Sequence, residues 1–460
     1  VRLTILGGGG FRVPLVHRAL LDDSRGPDPA VDEVVLFDTD PERLVAIRAV
    51  LDRQRDAHRA AHGEPALAVR VADTLDDALR GCDVVFSAIR VGGTAGRVLD
   101  ERVALAAGVL GQETVGAGGI SYGLRTVPVA VDIARRVARL APDAWVVNFT
   151  NPAGLITEAM TRVLGDRVVG ICDSPVGLGR RAARALGLDP DRVHLDYAGL
   201  NHLGWLRGLY ADGRDRLPEL LADEAALTSF EEGRLFGAAW LRALGALPNE
   251  YLHYYYLARE AREAIAHTLA GGGRTRGEQL VAQQREFYRE AARRPADAYD
   301  LWERTRRERE ETYMADNRRA AGGVERDPAD LDGGGYEQVA LAVMRAIALD
   351  RPARLVVNVR NRGALPDLDA DAVVEVPCLV DASGARPLAV DPLAPHQAAL
   401  VRTVKAVERE VLSAVDTGSR AAALRAFATH PLVDSVAVAQ RLLDGYLRAF
   451  PELEQILPRP

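Results

Sequence analysis

The sequence predicts an α/β protein, with an N-terminal Rossmann-like doubly wound parallel sheet and a C-terminal α+β, mainly helical domain. Three observations predict it. From Val1 to Ile171, short apolar runs alternate with helix-length amphipathic runs, the pattern of strands joined by crossover helices. Those apolar runs end in glycine-bearing or polar turns, as expected where a parallel sheet gathers ligands at the carboxyl ends of its strands. After Asp196 the pattern changes to a strand pair followed by long helices. With 460 residues the chain is too long for one hydrophobic core. The division is drawn at 1–195 for the Rossmann-like domain and 196–460 for the mainly helical domain.

The first strand, Arg2 to Leu6, ends in Gly7, Gly8, Gly9 and Gly10. Phe11 and Arg12 follow, then a helical pattern through Val13, Leu15, Val16, Ala19 and Leu20. A strand, a glycine turn and a helix N-terminus together cradle a pyrophosphate. Gly7 and Gly9 fit the G-x-G-x-x-G fingerprint, and Arg12 stands where the third glycine is usual. The next strand, Glu33 to Phe37, ends at Asp38. An acidic residue there accepts hydrogen bonds from the ribose hydroxyls of NAD. The two features together favour an NAD site on Gly7–Gly10, Phe11, Arg12 and Asp38 over a glycine turn with a purely steric role.

Helix and strand keep alternating: helix Pro41 to Ala61, strand Leu67 to Val71, short helix Thr74 to Arg80. Strand Asp83 to Ile89 leads into Arg90-Val91-Gly92-Gly93, and helices follow at Arg97 to Ala107 and Leu124 to Leu140. Strand Ala144 to Phe149 precedes Thr150-Asn151-Pro152, and strand Asp166 to Ile171 delivers Cys172-Asp173-Ser174-Pro175. Paired strands at Asp196 to Gly199 and Gly204 to Tyr210 enclose Asn201-His202. Helices are expected at Glu232 to Leu244, Tyr251 to Leu269, Glu278 to Arg294 and Ala298 to Arg319. An Asp- and Gly-rich loop covers Asp327 to Gly335. Helix Tyr336 to Asp350, strands Arg354 to Val359 and Ala372 to Pro377, and a helical stretch from Ala394 complete the chain.

Composition narrows the function classes. Hydrophobic residues make up 48% and charged residues 27%, the balance of a soluble globular protein. A net charge of -7 offers no basic face for nucleic acid. No apolar run approaches the ~20 residues of a membrane helix. The 3 cysteines, at 82, 172 and 378, are odd in number and widely spaced, which fits a reducing cytosol rather than a disulfide framework. No leader pattern precedes the first strand, so a cytoplasmic location is expected.

Cys172 and His202 offer a soft and a borderline ligand suited to a divalent transition metal. Each alone has a plainer reading, as a small buried hydrophobe or a hydrogen-bonded structural imidazole. Tyr251 alone reads as packing, and Arg97 and Arg276 as solvated helix charges. Tyr254, Tyr255 and Tyr256 read as helix packing. The placement of Cys172 at a strand end of a dinucleotide-type sheet raises the metal reading.

Taken in order, the motifs resemble glycoside hydrolase family 4, the NAD- and metal-dependent glycosidases. The likeness rests on Gly7–Gly10, Ile89-Arg90-Val91-Gly92, Gly111-Gln112-Glu113-Thr114 and Asn148-Phe149-Thr150-Asn151-Pro152. It continues through Cys172-Asp173-Ser174-Pro175, Gly199-Leu200-Asn201-His202, the stretch from Leu247 to Tyr255, and Thr275-Arg276. It spans nearly the whole chain and implies a lactate/malate dehydrogenase-like fold. The resemblance implies that Cys172 and His202 hold Mn2+ or another divalent ion and that Tyr251 is the catalytic base. It implies that Glu113 makes that tyrosine more basic and that Arg97 and Asn151 hold the sugar. Arg276 would lie near the substrate phosphate and Arg90 beside the cofactor. Asp173 matches the proton donor of members that cleave α-linkages.

Ordinary glycosidases use two carboxylates, and the NAD-dependent family is an exception. The implied reaction is oxidation at C3, abstraction of the C2 proton by Tyr251, elimination of the aglycone, water addition and re-reduction. The implied substrate is a phosphorylated disaccharide or aryl glucoside, and the implied assembly a homodimer or homotetramer. Leu203-Gly204-Trp205-Leu206 and the tyrosine cluster point to a 6-phospho-β-glucosidase. Asp173 points to the α-specific counterpart, and Ser174 departs from the aliphatic residue usual in both branches. A lactate/malate-type NAD-dependent dehydrogenase is the reading from another class; it needs a His–Asp pair and leaves Cys172 and His202 unexplained. A non-catalytic sugar-phosphate or redox sensor stands third.

Overall fold

A computed structural model describes residues 1–63, 67–315, 318 and 335–459. The first six strands are β1 (Arg2–Leu6), β2 (Glu33–Phe37), β3 (Ala68–Val71), β4 (Val84–Ser87), β5 (Trp145–Asn148) and β6 (Val168–Gly170). They lie parallel in the order 3-2-1-4-5-6, the doubly wound arrangement of dinucleotide-binding sheets. Most are short, nearly continuous apolar runs buried on both faces, as Val84 to Ser87 shows. The sheet then continues with later parts of the chain: β7 (His194–Leu200), β8 (Leu203–Ala211), β9 (Arg214–Asp215), β10 (Leu247–Pro248), β11 (Ala353–Arg360), β12 (Val373–Asp381) and β13 (Gly384–Pro387). Beyond β6 the order is β11, β12, β7, β8, β10, all antiparallel. The boundary drawn after residue 195 falls inside β7, and the sheet is continuous across it.

Helices cover both faces. Those that shape the site are α1 (Val13–Asp23), α2 (Pro41–His62), α3 (Gly93–Ala106), α4 (Gly116–Leu140), α5 (Ser174–Ala185), α6 (Arg276–Arg293), α7 (Ala298–Glu311) and α8 (Tyr336–Leu349). Leu3 and Ile5 of β1 pack with α1, α2 and α8, whereas Leu6 faces the opposite core with Val85 and α4. This is the period-two alternation of a strand buried between two layers. No helix among the described residues is long and apolar enough to cross a membrane.

Four expectations change. The helix expected from Leu124 begins at Gly116. Its glycines are there for close approach, since a Cβ at Gly118 would lie 2.0 Å from the Gln112 carbonyl oxygen. The helix expected over Glu232 to Leu244 is split at Gly237, whose φ is +78°. The one expected over Tyr251 to Leu269 is divided into a 3-10 turn at Glu250–Leu252, a turn of helix at His253–Tyr256 and a helix at Ala258–Ala270. The helix expected to reach Arg319 ends at Glu311. Residues 327–334 of the expected Asp- and Gly-rich loop lie outside the described residues.

Candidate active site

One register row crosses nine strands through Phe37, Leu6, Ser87, Asn148, Gly170, Asn358, Glu375, Gly199 and Gly204. The parallel strands release their candidate residues just beyond this row: Asp38, Gly7, Arg90, Asn151 and Cys172. The β7–β8 turn adds His202. The Asn249 N–H donates to the Gly204 carbonyl at 2.9 Å, which seats the segment carrying Tyr251 at the same edge. The result is a cavity of about 820 Å³ lined by every candidate named from the sequence except Gly8 and Gly9.

Those two glycines lie behind the cavity wall. A Cβ on Gly8 would meet the Leu36 Cβ at 2.9 Å, and one on Gly9 the Arg43 Cβ at 2.8 Å. Gly7 has φ +82° and faces the Ala88 carbonyl. The turn is held from both sides. Asp38 accepts from the Gly9 N–H at 2.9 Å and the Asp40 N–H at 3.0 Å. A carboxylate has about four lone-pair sites, so Asp38 keeps acceptor capacity toward the cavity. From the other side Tyr288, Trp302 and Tyr336 donate to the carbonyls of Gly9, Phe11 and Arg12 at 2.7, 2.8 and 2.7 Å. These braces come from α6, α7 and α8, remote in sequence. Arg12 lies 5.1 Å from the Tyr336 ring, which stacks on Phe149 at 4.4 Å.

At the opposite end Cys172 and His202 are both buried in the cavity wall. His202 adopts φ +61°, an uncommon conformation for a residue with a side chain. Its ring stacks on Tyr251 with centroids 3.6 Å apart and 5° between planes. Burial holds the imidazole at about 3, so it is neutral at ordinary pH. Burial, with Glu375 and Asp173 nearby, pushes the Cys172 thiol well up. A neutral imidazole and a thiol that a cation would ionise make a donor set suited to a divalent transition metal. Among the described residues no group of three or more His, Cys, Asp or Glu side chains is arranged to hold a metal ion. Asn151 Oδ1, buried without a hydrogen-bond partner, belongs to a residue of the same cavity wall.

The Tyr251 hydroxyl lies 3.1 Å from that of Tyr313. Burial and then Glu250 push the Tyr251 phenol well above its ordinary value. The protein's own groups therefore leave this tyrosine protonated. Glu113 is gripped by Arg90 and by Arg97, the latter at 2.6 Å. Burial raises the Glu113 carboxyl, and the two guanidiniums more than offset it, holding it at about 2. Arg97 also donates to Glu101 at 2.8 Å and is almost buried, so it is not a solvated helix charge. Arg276, at the start of α6, donates to Thr312 at 2.7 Å and to the Arg309 carbonyl at 3.0 Å. Burial and Arg97 lower it to about 10. Asp173 takes the N-cap position of α5 and makes no capping bond.

Four further residues were not singled out from the sequence. Glu250 accepts from Ser174 Oγ at 2.6 Å, its Oε2 is buried without a partner, and burial with Glu232 raises it to about 8. Its position beside Tyr251 was the one available signal. Tyr313 and Arg309 line the cavity from a charge-rich helical stretch that gave none. Glu375 was hidden in a strand. Of the tyrosines read as packing, Tyr254 lines the cavity, while Tyr256 accepts from Trp205 at 3.0 Å.

Residues 2–188 match the family model for family 4 glycosyl hydrolases, and residues 197–433 match that for their C-terminal domain. The chain belongs to family 4 of the glycosyl hydrolases. It is 34% identical over 389 residues to a probable 6-phospho-beta-glucosidase of Bacillus subtilis, covering 82% of this chain and 81% of the relative. It is 31% identical over 473 residues to 6-phospho-alpha-glucosidase 1 of Lacticaseibacillus paracasei, covering 98% of each. A Thermotoga maritima 6-phospho-beta glucosidase, solved with manganese, NAD+ and glucose-6-phosphate, superposes with TM-score 0.80 at 27% identity, covering 98% of this chain and 99% of that one. Outside the family, a malate dehydrogenase of Salinibacter ruber shares the fold alone, with TM-score 0.51 and 14% identity over 90% of this chain and 98% of that one. The family 4 assignment accounts for the Rossmann-like sheet and its dehydrogenase-like extension together.

Proposed function

We propose that this family 4 glycosidase hydrolyses 6-phospho-β-glucosides to glucose 6-phosphate and an aglycone, using NAD and a divalent metal ion such as Mn2+. The observation that carries the reading is the shared cavity: Cys172, His202 and Tyr251 line one end, the glycine turn and Asp38 the other. Residues 1–195 would hold the cofactor, and 196–460 would supply the base and much of the sugar grip. Bound there, NAD+ takes up and returns the C3 hydride, while the divalent ion polarises the sugar oxygens and lowers the Tyr251 pKa. Asp38 accepts hydrogen bonds from ribose hydroxyls, and the pyrophosphate lies where the glycine turn opens into the N-terminus of α1. Cys172 and His202 hold the ion. Tyr251 takes the C2 proton at its phenolic oxygen. Glu113 keeps its negative charge between Arg90 and Arg97 and so fixes the arginine that holds the sugar. Asn151 turns its unpartnered oxygen to a sugar hydroxyl, and Arg276 faces the phosphate.

The second reading is a 6-phospho-α-glucosidase, favoured by Asp173 beside Cys172 in the cavity wall. The test is 4-nitrophenyl 6-phospho-β-glucoside with NAD+ and Mn2+, followed by its α-anomer. Release from the β-anomer alone is expected, and release from the α-anomer alone transfers the assignment. No release from either, or full activity with chelator present, sinks the metal- and NAD-dependent reading.

A further inference from the structure

The proposed reaction gives no task to Glu375. This carboxyl, third residue of β12, is fully buried. Its Oε1 accepts from Asn358 Nδ2 at 2.8 Å and from Asn201 Nδ2 at 3.2 Å. Its Oε2 is buried without a hydrogen-bond partner. A buried carboxyl held by amides rather than by a cation is costly to fold around, and the register row in which it sits is tightly packed. Glu375 sits in the register row between Asn358 and Gly199, with Gly170 on the far side of Asn358. A Cβ on Gly170 would lie 2.8 Å from the Asn358 Cβ, and one on Gly199 2.2 Å from the Leu203 carbonyl oxygen.

Two arms lead outward from this carboxyl. The first is Asn201, the residue before His202, whose φ of +61° needs support from its surroundings. The second is Tyr197, on β7 two residues before Gly199, the register partner of Glu375. Its hydroxyl accepts from Asn249 Nδ2 at 3.3 Å, and Asn249 Oδ1 accepts from the Tyr251 N–H at 2.9 Å. The turn that carries His202 and the turn that carries Tyr251 are thus both reached from the register row at Glu375, the first through Asn201 and the second through β7.

We infer that Glu375 is a positioning residue that fixes the His202 turn and the Tyr251 turn in a single relation to each other. The inference rests on the reading of Cys172 and His202 as metal ligands given above. Residues that orient ligands from behind typically contribute 10–100-fold to metal affinity. The experiment measures Mn2+ binding to the full chain in the presence of NAD+, by the electron paramagnetic resonance signal of free Mn2+, with NAD+ affinity measured alongside. Glu375→Ala should weaken Mn2+ binding by about 10–100-fold and leave NAD+ affinity unchanged. Glu375→Gln, which keeps the acceptor oxygen for Asn201 and Asn358, should restore Mn2+ binding to within about threefold of the parent. Parental Mn2+ affinity in Glu375→Ala overturns the inference. So does equal loss in both variants, which would assign the effect to charge, and so does joint loss of Mn2+ and NAD+ binding, which would make the role merely structural. Cys172→Ser and His202→Ala test the underlying reading separately: Mn2+ binding that survives both removes the site itself, whatever Glu375 does.

Discussion

At the cofactor end of the cavity the backbone forms the site, and its polar groups are tied down. Gly9 N–H is taken by Asp38, and the carbonyls of Gly9, Phe11 and Arg12 each receive a side-chain donor from α6, α7 or α8. At the chemistry end side chains form the site, and several polar atoms in and behind it are left over. Asn151 Oδ1, Glu250 Oε2 and Glu375 Oε2 are buried without partners. Three carboxyls there are displaced in different directions, Glu113 held at about 2, Glu375 raised to about 7 and Glu250 raised to about 8. A satisfied turn suits a ligand that keeps one pose. Unsatisfied groups are what a site needs when charge moves through it during a reaction.

The largest expected effect separates the two ends. Tyr251→Phe should lower turnover by roughly 10²–10⁴-fold, the usual contribution of a positioned base, with NAD+ affinity within about twofold of the parent. The phenol hydrogen-bonds the Tyr313 hydroxyl, away from the glycine turn, so its loss should leave that turn untouched. Stopped-flow turnover and NAD+ titration check this. Normal turnover would show that another residue is the base, and lost NAD+ binding would show that the two ends are not separate.

The same contrast decides how much was legible in the sequence. The cofactor end could be read directly because a strand, four glycines, a helix and an acidic strand end are local in sequence and the steric demand on each glycine is severe. The parallel order of β1 to β6 follows from helix–strand alternation for the same reason. The continuation of the sheet was not legible. β11 and β12 could be recognised as strands, but nothing in Arg354 to Val359 or Ala372 to Pro377 says that they insert between β6 and β7. Glu375 was therefore just a polar residue in an apolar strand. Its role depends on neighbours from three other parts of the chain. Arg309 was obscured differently, by a helix so rich in charge that a cavity-facing residue looks like a solvated one, and Tyr313 lies just beyond that helix's end at Glu311. Cys172 and His202 were legible as a soft and a borderline ligand at a strand end, though each has a plainer reading alone, and Tyr251 was reached only through the family likeness.

A smaller effect tests the claim that the chemistry end is kept under electrostatic strain. The unfolded chain titrates Glu250 near its ordinary 4.5, while the folded protein holds the proton to about 8. Between those values the unfolded state releases a proton that the native state keeps, so this group's contribution to stability falls as pH rises and levels off above about 8. Glu113 acts in the opposite sense: with a folded value of about 2, its contribution is present above 4.5 and is lost as pH falls from there. Glu250→Gln should remove the alkaline slope, so that its stability relative to the parent rises on the order of 2–3 kcal/mol between pH 5 and pH 8. Denaturant unfolding at the two pH values checks this. A constant difference would mean that Glu250 is ionised in the native state.

The smallest effect belongs to the cofactor end, and it is the sharpest test of the division. Asp38→Asn keeps one acceptor oxygen but sets an NH2 group against either the Gly9 or the Asp40 N–H, both of which now donate to the carboxylate. It also weakens the acceptor offered to a ribose hydroxyl, because hydrogen bonds to a charged group are roughly twice as strong as neutral ones. The turn has three other anchors, at Gly9, Phe11 and Arg12, from helices that do not involve Asp38, so it should survive the substitution. The expected result is NAD+ affinity weaker by about tenfold, equivalent to about 1.4 kcal/mol, with kcat at saturating NAD+ and Mn2+ affinity unchanged. Fluorescence titration and steady-state kinetics measure the two quantities separately. If kcat fell along with affinity, the cofactor turn would be setting the position of the reacting sugar as well as of the nicotinamide. The chemistry end would then depend on Asp38 through the cofactor, rather than on its own side chains alone.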